Sequence, residues 1–128
     1  MSSPTIFDST MARIGYALDG LSQRQSLIAD NVANADTPGY LTKDVAFEQS
    51  LNTAMQSQDF MPNTGSGVPV GLPSDTTRND LQVRNDGNNV DVNQQMTEMA
   101  STTVTYQAAT QLISSKFGLL TAALAPIS

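Results

Sequence analysis

The chain has 128 residues, enough for one domain, with a formal net charge of −6. Its basic residues are few and scattered (Arg13, Arg24, Lys43, Arg78, Arg84, Lys116), so no patch is available for nucleic acid or an anionic membrane. It contains no Cys and no His, which excludes disulfides, Cys or His metal sites, and Ser-His or Cys-His nucleophile systems.

Residues 1–8 read as a lead-in, with Asp8, Ser9 or Thr10 able to cap a helix. From there apolar residues alternate at steps of three and four: Met11, Ile14, Leu18, Leu21, Gln25, Ile28, Val32, Ala35. A return about every 3.5 residues is the seam of a coiled coil. Gly15 and Gly20 weaken such a helix by about 1 kcal/mol each relative to Ala. They also admit a close neighbour, and the two readings weigh evenly. Pro38 disfavours helical geometry at Thr37, and Pro38-Gly39 signals a turn.

A short helix is predicted next, capped by Asp44, with Phe47, Leu51 and Met55 on one face. Residues 59–83 are rich in Gly, Pro, Ser, Thr and Asn and read as a loop, with a small hairpin as a weak alternative. Asp86-Gly87-Asn88-Asn89 signals a tight turn. Asp91 to Gln94 resembles a capping box, Asp91 serving the helix and Gln94 reaching back. A second seam follows: Met96, Met99, Thr103, Tyr106, Thr110, Ile113, Phe117, Leu120, Leu124. Pro126 closes that helix.

The expected fold is therefore mainly α: two long terminal helices pairing as a coiled coil, a short helix after a turn, and an irregular middle. One structural domain divides into 1–35 (N-terminal assembly helix), 36–58 (turn and short helix), 59–90 (irregular loop) and 91–128 (C-terminal assembly helix). The seams predict that Met11, Ile14, Leu18, Leu21, Ile28 and Val32 pack against Met99, Tyr106, Ile113, Phe117 and Leu120. Met96 and Met99 read as core residues of the seam. Gln25, Thr103 and Thr110 interrupt it, as polar register-setting residues do. Four Phe, three Tyr and no Trp make a thin core, so part of each stripe awaits self-assembly.

Catalytic and ligand signals are weak. Asp36, Asp44, Asp86 and Asp91 lie in turns, where capping is the ordinary work of Asp. A calcium loop centred on Gly87 fails at Gln82 and Arg84, and Gly65-Ser66-Gly67 lacks the rest of a phosphate-binding fingerprint. The expectation is no enzyme activity, no cofactor, no metal and no small-molecule ligand. No apolar leader opens the chain, so a cleaved signal peptide is not expected, and no run of about 18 apolar residues could span a bilayer.

The run from Arg24 to Tyr40 contains Asp30-Asn31-Val32-Ala33-Asn34-Ala35-Asp36-Thr37-Pro38-Gly39-Tyr40. It resembles the N-terminal signature of bacterial flagellar rod and hook axial proteins, in which Asn31, Asn34, Thr37, Pro38, Gly39 and Tyr40 form the turn motif. Further segments are similar to the proximal-rod members: Lys43 to Phe47, Arg84 to Asp91, Met96 to Ala100, Tyr106 to Ala109 and Lys116 to Leu120. A glycine, tyrosine and proline run, usual before the last helix of the sibling FlgC, is absent. The resemblance covers about residues 10–55 and 84–125.

The resemblance implies a subunit of a hollow helical rod that transmits torque and encloses an export channel. The implied partners are other copies of the chain, other rod proteins (FlgC, FlgF-like), the junction protein FliE, and the export gate and membrane ring. It also implies a periplasmic position in the basal body, type III export without cleavage, and an export motif at Phe7 and Met11. Without it, Phe7 reads as a hydrophobic staple or a frayed end. The competing reading is a soluble helical adaptor or chaperone that holds a partner helix.

Overall fold

The computed structural model describes residues 3–56 and 75–124, the side chains of residues 3–10, 54 and 55 excepted. In chain order the elements are α1 (Ser3–Ala33), β1 (Lys43–Val45), α2 (Phe47–Gln56), β2 (Asp75–Thr77) and α3 (Val92–Leu124). The fold is mainly helical, and the two long helices pack against each other. They run antiparallel, since Asn31 near the end of α1 bonds Gln95 near the start of α3 and Gln25 bonds Thr103.

α1 starts before the cap predicted at residues 8–10. Pro4 sits in its first turn, where a missing N–H costs nothing because that group has no helical partner. The end falls at Ala33, and Asn34-Ala35-Asp36-Thr37 turns the chain through short bonds from Asn34, Ala35 and Thr37 back to Asp30, Val32 and Asn34. The seam read along α1 faces inward throughout. Ile14, Leu21, Ile28 and Ala35 are buried, and Met11, Leu18, Gln25 and Val32 are half-buried.

A second face of α1 is also covered, which the seam did not reveal. Tyr16, Gly20, Leu27 and Asn31 lie on it, against β1 and α2. Phe47 opens α2 and presses directly on Gly20: a Cβ there would lie 2.1 Å from the ring. The ring stacks on Tyr16 with centroids 6.2 Å apart and sits under the Arg24 guanidinium at 5.7 Å. Tyr16, Leu21, Leu27, Val45 and Phe47 form the apolar core, joined by Leu51 and Tyr106 at its edge. Met55, predicted on the same face of α2, has a side chain outside the described residues. Arg24 clamps α2 further with two bonds of 2.5 Å to Glu48. Glu48 is largely exposed, so this pair contributes at most about 1 kcal/mol.

The two glycines of α1 therefore differ. Gly20 is a close-packing site, whereas a Cβ at Gly15 would meet nothing within 4 Å. Gly15→Ala should stabilise the isolated chain by up to about 1 kcal/mol through helix propensity alone. A chemical melt that moved the other way would contradict the open geometry at that site.

Several local expectations are corrected. Asp44 does not cap α2; it belongs to β1, where its Oδ1 accepts from the Val45 N–H at 2.7 Å and its other oxygen faces Arg78. Residues 75–77, read as loop, form β2, antiparallel to β1 with Lys43 opposite Thr77 and Val45 opposite Asp75. The weak hairpin alternative anticipated pairing, but the partner strand lies before α2, at a separation no local turn signal encodes. Residues 57–74, which include most of the predicted loop, and Pro126 lie outside the described residues. Asp91 caps α3 as expected, accepting from the Gln94 N–H at 3.1 Å. The reciprocal half of the box is missing, because the Gln94 amide turns forward to Glu98.

α3 required the largest correction. Its inward positions are Gln95, Met99, Thr102, Tyr106, Ala109, Ile113, Lys116 and Leu120, all buried or half-buried. Met99, Tyr106, Ile113 and Leu120 were predicted. The alternate position lies one residue earlier than read, at 95, 102, 109 and 116 instead of 96, 103, 110 and 117. Met96, predicted as core, is 55% exposed, and Phe117 and Leu124 are also exposed. The reason is polar: Gln95 and Thr102 are buried, and an apolar pattern could not choose them. Thr110 is exposed and bonds only its own helix, at Tyr106. Gln25 and Thr103 do meet, at 3.3 Å, so these two interruptions of the seams answer each other.

Candidate functional site

The turn between α1 and β1 and the turn before α3 fold into one polar knot built on three buried asparagines. Asn31 is 1% exposed and Asn88 0%. Buried amides of this kind are tolerated only when their donors and acceptors are matched.

Asn31, on the inner face of α1, uses both ends of its amide. Its Nδ2 donates to the Lys43 carbonyl and to Gln95 Oε1, each at 2.8 Å. Its Oδ1 accepts from the Lys43 N–H at 2.9 Å and from the Tyr40 hydroxyl at 3.2 Å. One side chain thus pins α1 to β1, to α3 and to the end of the turn. Burial pushes the Tyr40 hydroxyl pKa above its ordinary value, with the Asp30 carboxylate adding to it.

Asn88 ties the two turns. Its Nδ2 donates to the carbonyls of Asn34 and Thr37, both at 2.9 Å, and its Oδ1 accepts from the Val90 N–H at 2.7 Å. Asn89 does the same for the strand region: Oδ1 accepts from the Thr42 N–H and Nδ2 donates to the Arg78 carbonyl, both at 2.6 Å. The Arg84 guanidinium donates to the Ala35 carbonyl and so closes the C-terminal end of α1.

The glycines of the two turns sit back to back. Gly39 has φ +75° and Gly87 has φ +85°, a region that side chains rarely adopt. A Cβ on Gly87 would lie 3.2 Å from the Gly39 Cα, and the Gly39 N–H donates to the Asp86 carbonyl at 2.9 Å. Asp86 also accepts from the Asn88 N–H at 3.1 Å, as turn-forming Asp does.

The predicted turn residues therefore divide by task. Asn31 and Gly39 are structural members of the knot. Asn34 and Thr37 lend backbone carbonyls to Asn88, and the Thr37 hydroxyl donates to Asn34 Oδ1 at 3.2 Å. Tyr40 closes onto Asn31, and Pro38 stands exposed at the tip. Of the export pair, Met11 is half-buried on α1, and the Phe7 side chain lies outside the described residues. Sequence reading missed Thr42, Asn89 and Gln95 as buried partners. The Asn88-Asn89 pair was read only as turn chemistry, since nothing in a polar pair says that its amides point inward.

Beside the knot, Arg24, Asp44, Glu98, Ser101 and Thr102 line a recess of about 260 Å³. Burial raises the Glu98 pKa above 4.5, and Asp44 adds to it, while Arg24, Arg78 and the Gln94 amide oppose. The folded state thus holds that proton more tightly than the unfolded chain. Stability from this group is present below the unfolded value and is lost as pH rises through the folded one. Glu98→Gln should raise the melting temperature at pH 7, with the gain shrinking towards pH 4.5. Circular dichroism melts across that range provide the check, and an unchanged midpoint at pH 7 would refute it.

Outside the knot, α3 carries a row of uncovered apolar residues. Val104, Leu112 and Leu119 are each more than half exposed, as is Leu124. Among the described residues no helix is long and apolar enough to cross a membrane, and no group of three or more acidic side chains converges as a metal site would require.

A family model described as flagella basal body rod protein matches residues 16–40, the C-terminal part of α1 and its turn. The flagellar basal body rod protein FlgB of Aeromonas hydrophila is 38% identical, over 91% of this chain and 93% of its own length. FlgB of Bacillus subtilis is 31% identical over the same shares, and that of Escherichia coli is 32% identical over 77% of this chain and 80% of its own length. The first two relatives match over nine-tenths of this chain, and the chain belongs to the FlgB family of flagellar basal body rod proteins.

Proposed function

We propose that the chain is a structural subunit of the proximal rod, self-assembling through α1 and α3 into a hollow helical tube that transmits torque and encloses the export channel. The observation that carries this reading is the incomplete burial of α3. Beyond Thr102 it is nowhere fully buried, yet it holds Val104, Leu112, Phe117, Leu119 and Leu124 in water. A sustained apolar surface of this kind is costly unless another chain covers it. The knot supplies the complementary property: it locks α1, β1 and α3 at one end, so force on one helix passes to the others without a hinge.

On this reading the neighbours are further copies, FlgC- and FlgF-like rod proteins, and FliE at the base, with the export gate and membrane ring beyond. The position is the periplasmic segment of the basal body, reached through type III export without cleavage. Phe7 and Met11 would serve export, and the turn motif from Asn31 to Tyr40 would serve assembly. The role is structural, and the reading assigns no catalytic residue.

The test is deletion of the gene in the flagellated bacterium that carries it. Purified basal bodies would be scored by electron microscopy, and hook-subunit secretion would be measured. Missing rods, restored by the wild-type gene, are the expected result. Normal rods and hooks would reject the assignment and favour an adaptor that binds a partner helix.

A further inference from the structure

Three oxygen-bearing side chains meet at the recess beside the knot with bonding capacity to spare. Thr102 is only 4% exposed and lines the recess, yet its hydroxyl has no hydrogen-bond partner among the described residues. Buried hydroxyls are rarely left in that condition. Glu98 accepts one bond, from the Gln94 amide at 3.3 Å. Asp44 accepts from the Val45 N–H through one oxygen, and its other oxygen lies 3.5 Å from Arg78 Nη1, long for a hydrogen bond. α3 and β1 thus bring two carboxylates and a hydroxyl to one opening of about 260 Å³.

The guanidiniums nearby are already committed. Arg24 holds Glu48 through both Nη atoms, and Arg78 holds Asp80 through Nε and Nη2. Four carboxylates therefore stand against two guanidiniums around the recess, and the local field favours a further cation. A calcium ion takes about six to eight oxygen ligands, and among the described residues no third acid joins the pair. A lysine ammonium presents three N–H donors and no acceptor, which matches Glu98, Asp44 and Thr102 one to one. Its thin stem also suits a small opening better than the flat fork of an arginine.

The chain itself has two lysines, Lys43 and Lys116. Lys116 is half-buried on the inward face of α3 and already engaged within the chain. Lys43 is exposed, but it neighbours Asp44 on β1, and successive side chains of a strand point to opposite faces. A second copy would bring its Lys43 to the recess only by setting β1 against β1. Such a contact is reciprocal and closes at two copies. We infer that the recess binds the ammonium group of a lysine on a different protein of the basal body, with Glu98, Asp44 and Thr102 as its acceptors. The inference rests on the rod reading above and names the chemistry of one of its contacts. It also gives Glu98 a task that the isolated chain does not reward, since Glu98→Gln is expected to raise the melting temperature of the chain alone.

Washed basal bodies would be treated with a water-soluble carbodiimide, which condenses a carboxylate with a lysine amine in contact and releases water. Peptide mass spectrometry should then find Glu98 or Asp44 joined by an amide bond to a lysine of another protein. In a parallel experiment, basal bodies carrying the Glu98→Gln chain would be washed at rising salt. The variant should leave them at lower salt than wild type, although its isolated chain melts higher. A role confined to folding would move both readouts in the same direction. An adduct of either carboxylate with Lys43 or Lys116 would overturn the inference. So would the absence of any adduct at Glu98 and Asp44, or release of the variant at the same salt as wild type. Absence of the wild-type chain from washed basal bodies is a separate result, which would reject the rod reading itself.

Discussion

Asn31→Ala should unfold the chain or leave it close to unfolding. The substitution strips partners from the Lys43 N–H, the Lys43 carbonyl and Gln95 Oε1. Each such group left unmatched costs about 1–3 kcal/mol, so the total is about 3–6 kcal/mol after some relaxation. A domain of this size holds only about 5–15 kcal/mol in all. Asn31→Asp should be no better, since it keeps the shape but turns the Nδ2 donor into an acceptor facing two carbonyl oxygens. Urea unfolding followed by circular dichroism measures both variants. A loss below about 1 kcal/mol for Asn31→Ala would mean that water replaces the amide, and the knot would not be the mechanical joint described above.

The second large effect lies at the contact of Gly20 with Phe47, where the sign is informative. On helix propensity alone Gly20→Ala should stabilise α1 by about 1 kcal/mol. The new Cβ would instead lie 2.1 Å from a ring atom of Phe47. That ring is held by Tyr16 on one side and Arg24 on another, so it has little room to retreat. Overpacking of this kind costs about 1–3 kcal/mol, and the variant should be less stable than wild type. Phe47→Ala should cost about 3–5 kcal/mol by leaving a cavity. In the Phe47→Ala background the clash is gone, and Gly20→Ala should then stabilise. The reversal of sign in this double-mutant cycle is the measurement. Additive effects would show that Gly20 and Phe47 do not press on each other.

Together these predictions separate two kinds of cohesion. Phe47 holds α2 to α1 by apolar burial against a missing side chain. Asn31, Asn88 and Asn89 hold the turns to both long helices by matched hydrogen bonds. The first tolerates a compensating change of volume; the second tolerates almost none, because a buried amide has a fixed set of donors and acceptors.

The seam of α1 was legible because burial there follows apolar character at every seam position from Met11 to Ala35 except Gln25. The tight turns were legible because Gly39 and Gly87 occupy backbone regions that select glycine. The family turn motif was legible as a pattern, but its work was not. A sequence shows that Asn31 interrupts an apolar stretch; it does not show that Lys43 and Gln95 stand ready to receive the amide. The same gap explains the rotated seam of α3. Met96 is apolar and exposed, Gln95 polar and buried, and the choice was made by the partner side chain on α1.

The sequence by itself determined two long helices and the glycine turns between them, and its Asn31–Tyr40 motif resembled a rod-forming family. The helices and turns follow from local periodicity and turn chemistry, which act over a few residues. Only the tertiary structure decided which side of α3 faces inward, that β1 pairs with β2 across α2, and that three asparagines form one knot. Those outcomes depend on matching polar groups between segments as far apart as Asn31 and Gln95. No local pattern encodes such a match, because the free energy of a buried hydrogen bond belongs to both partners at once.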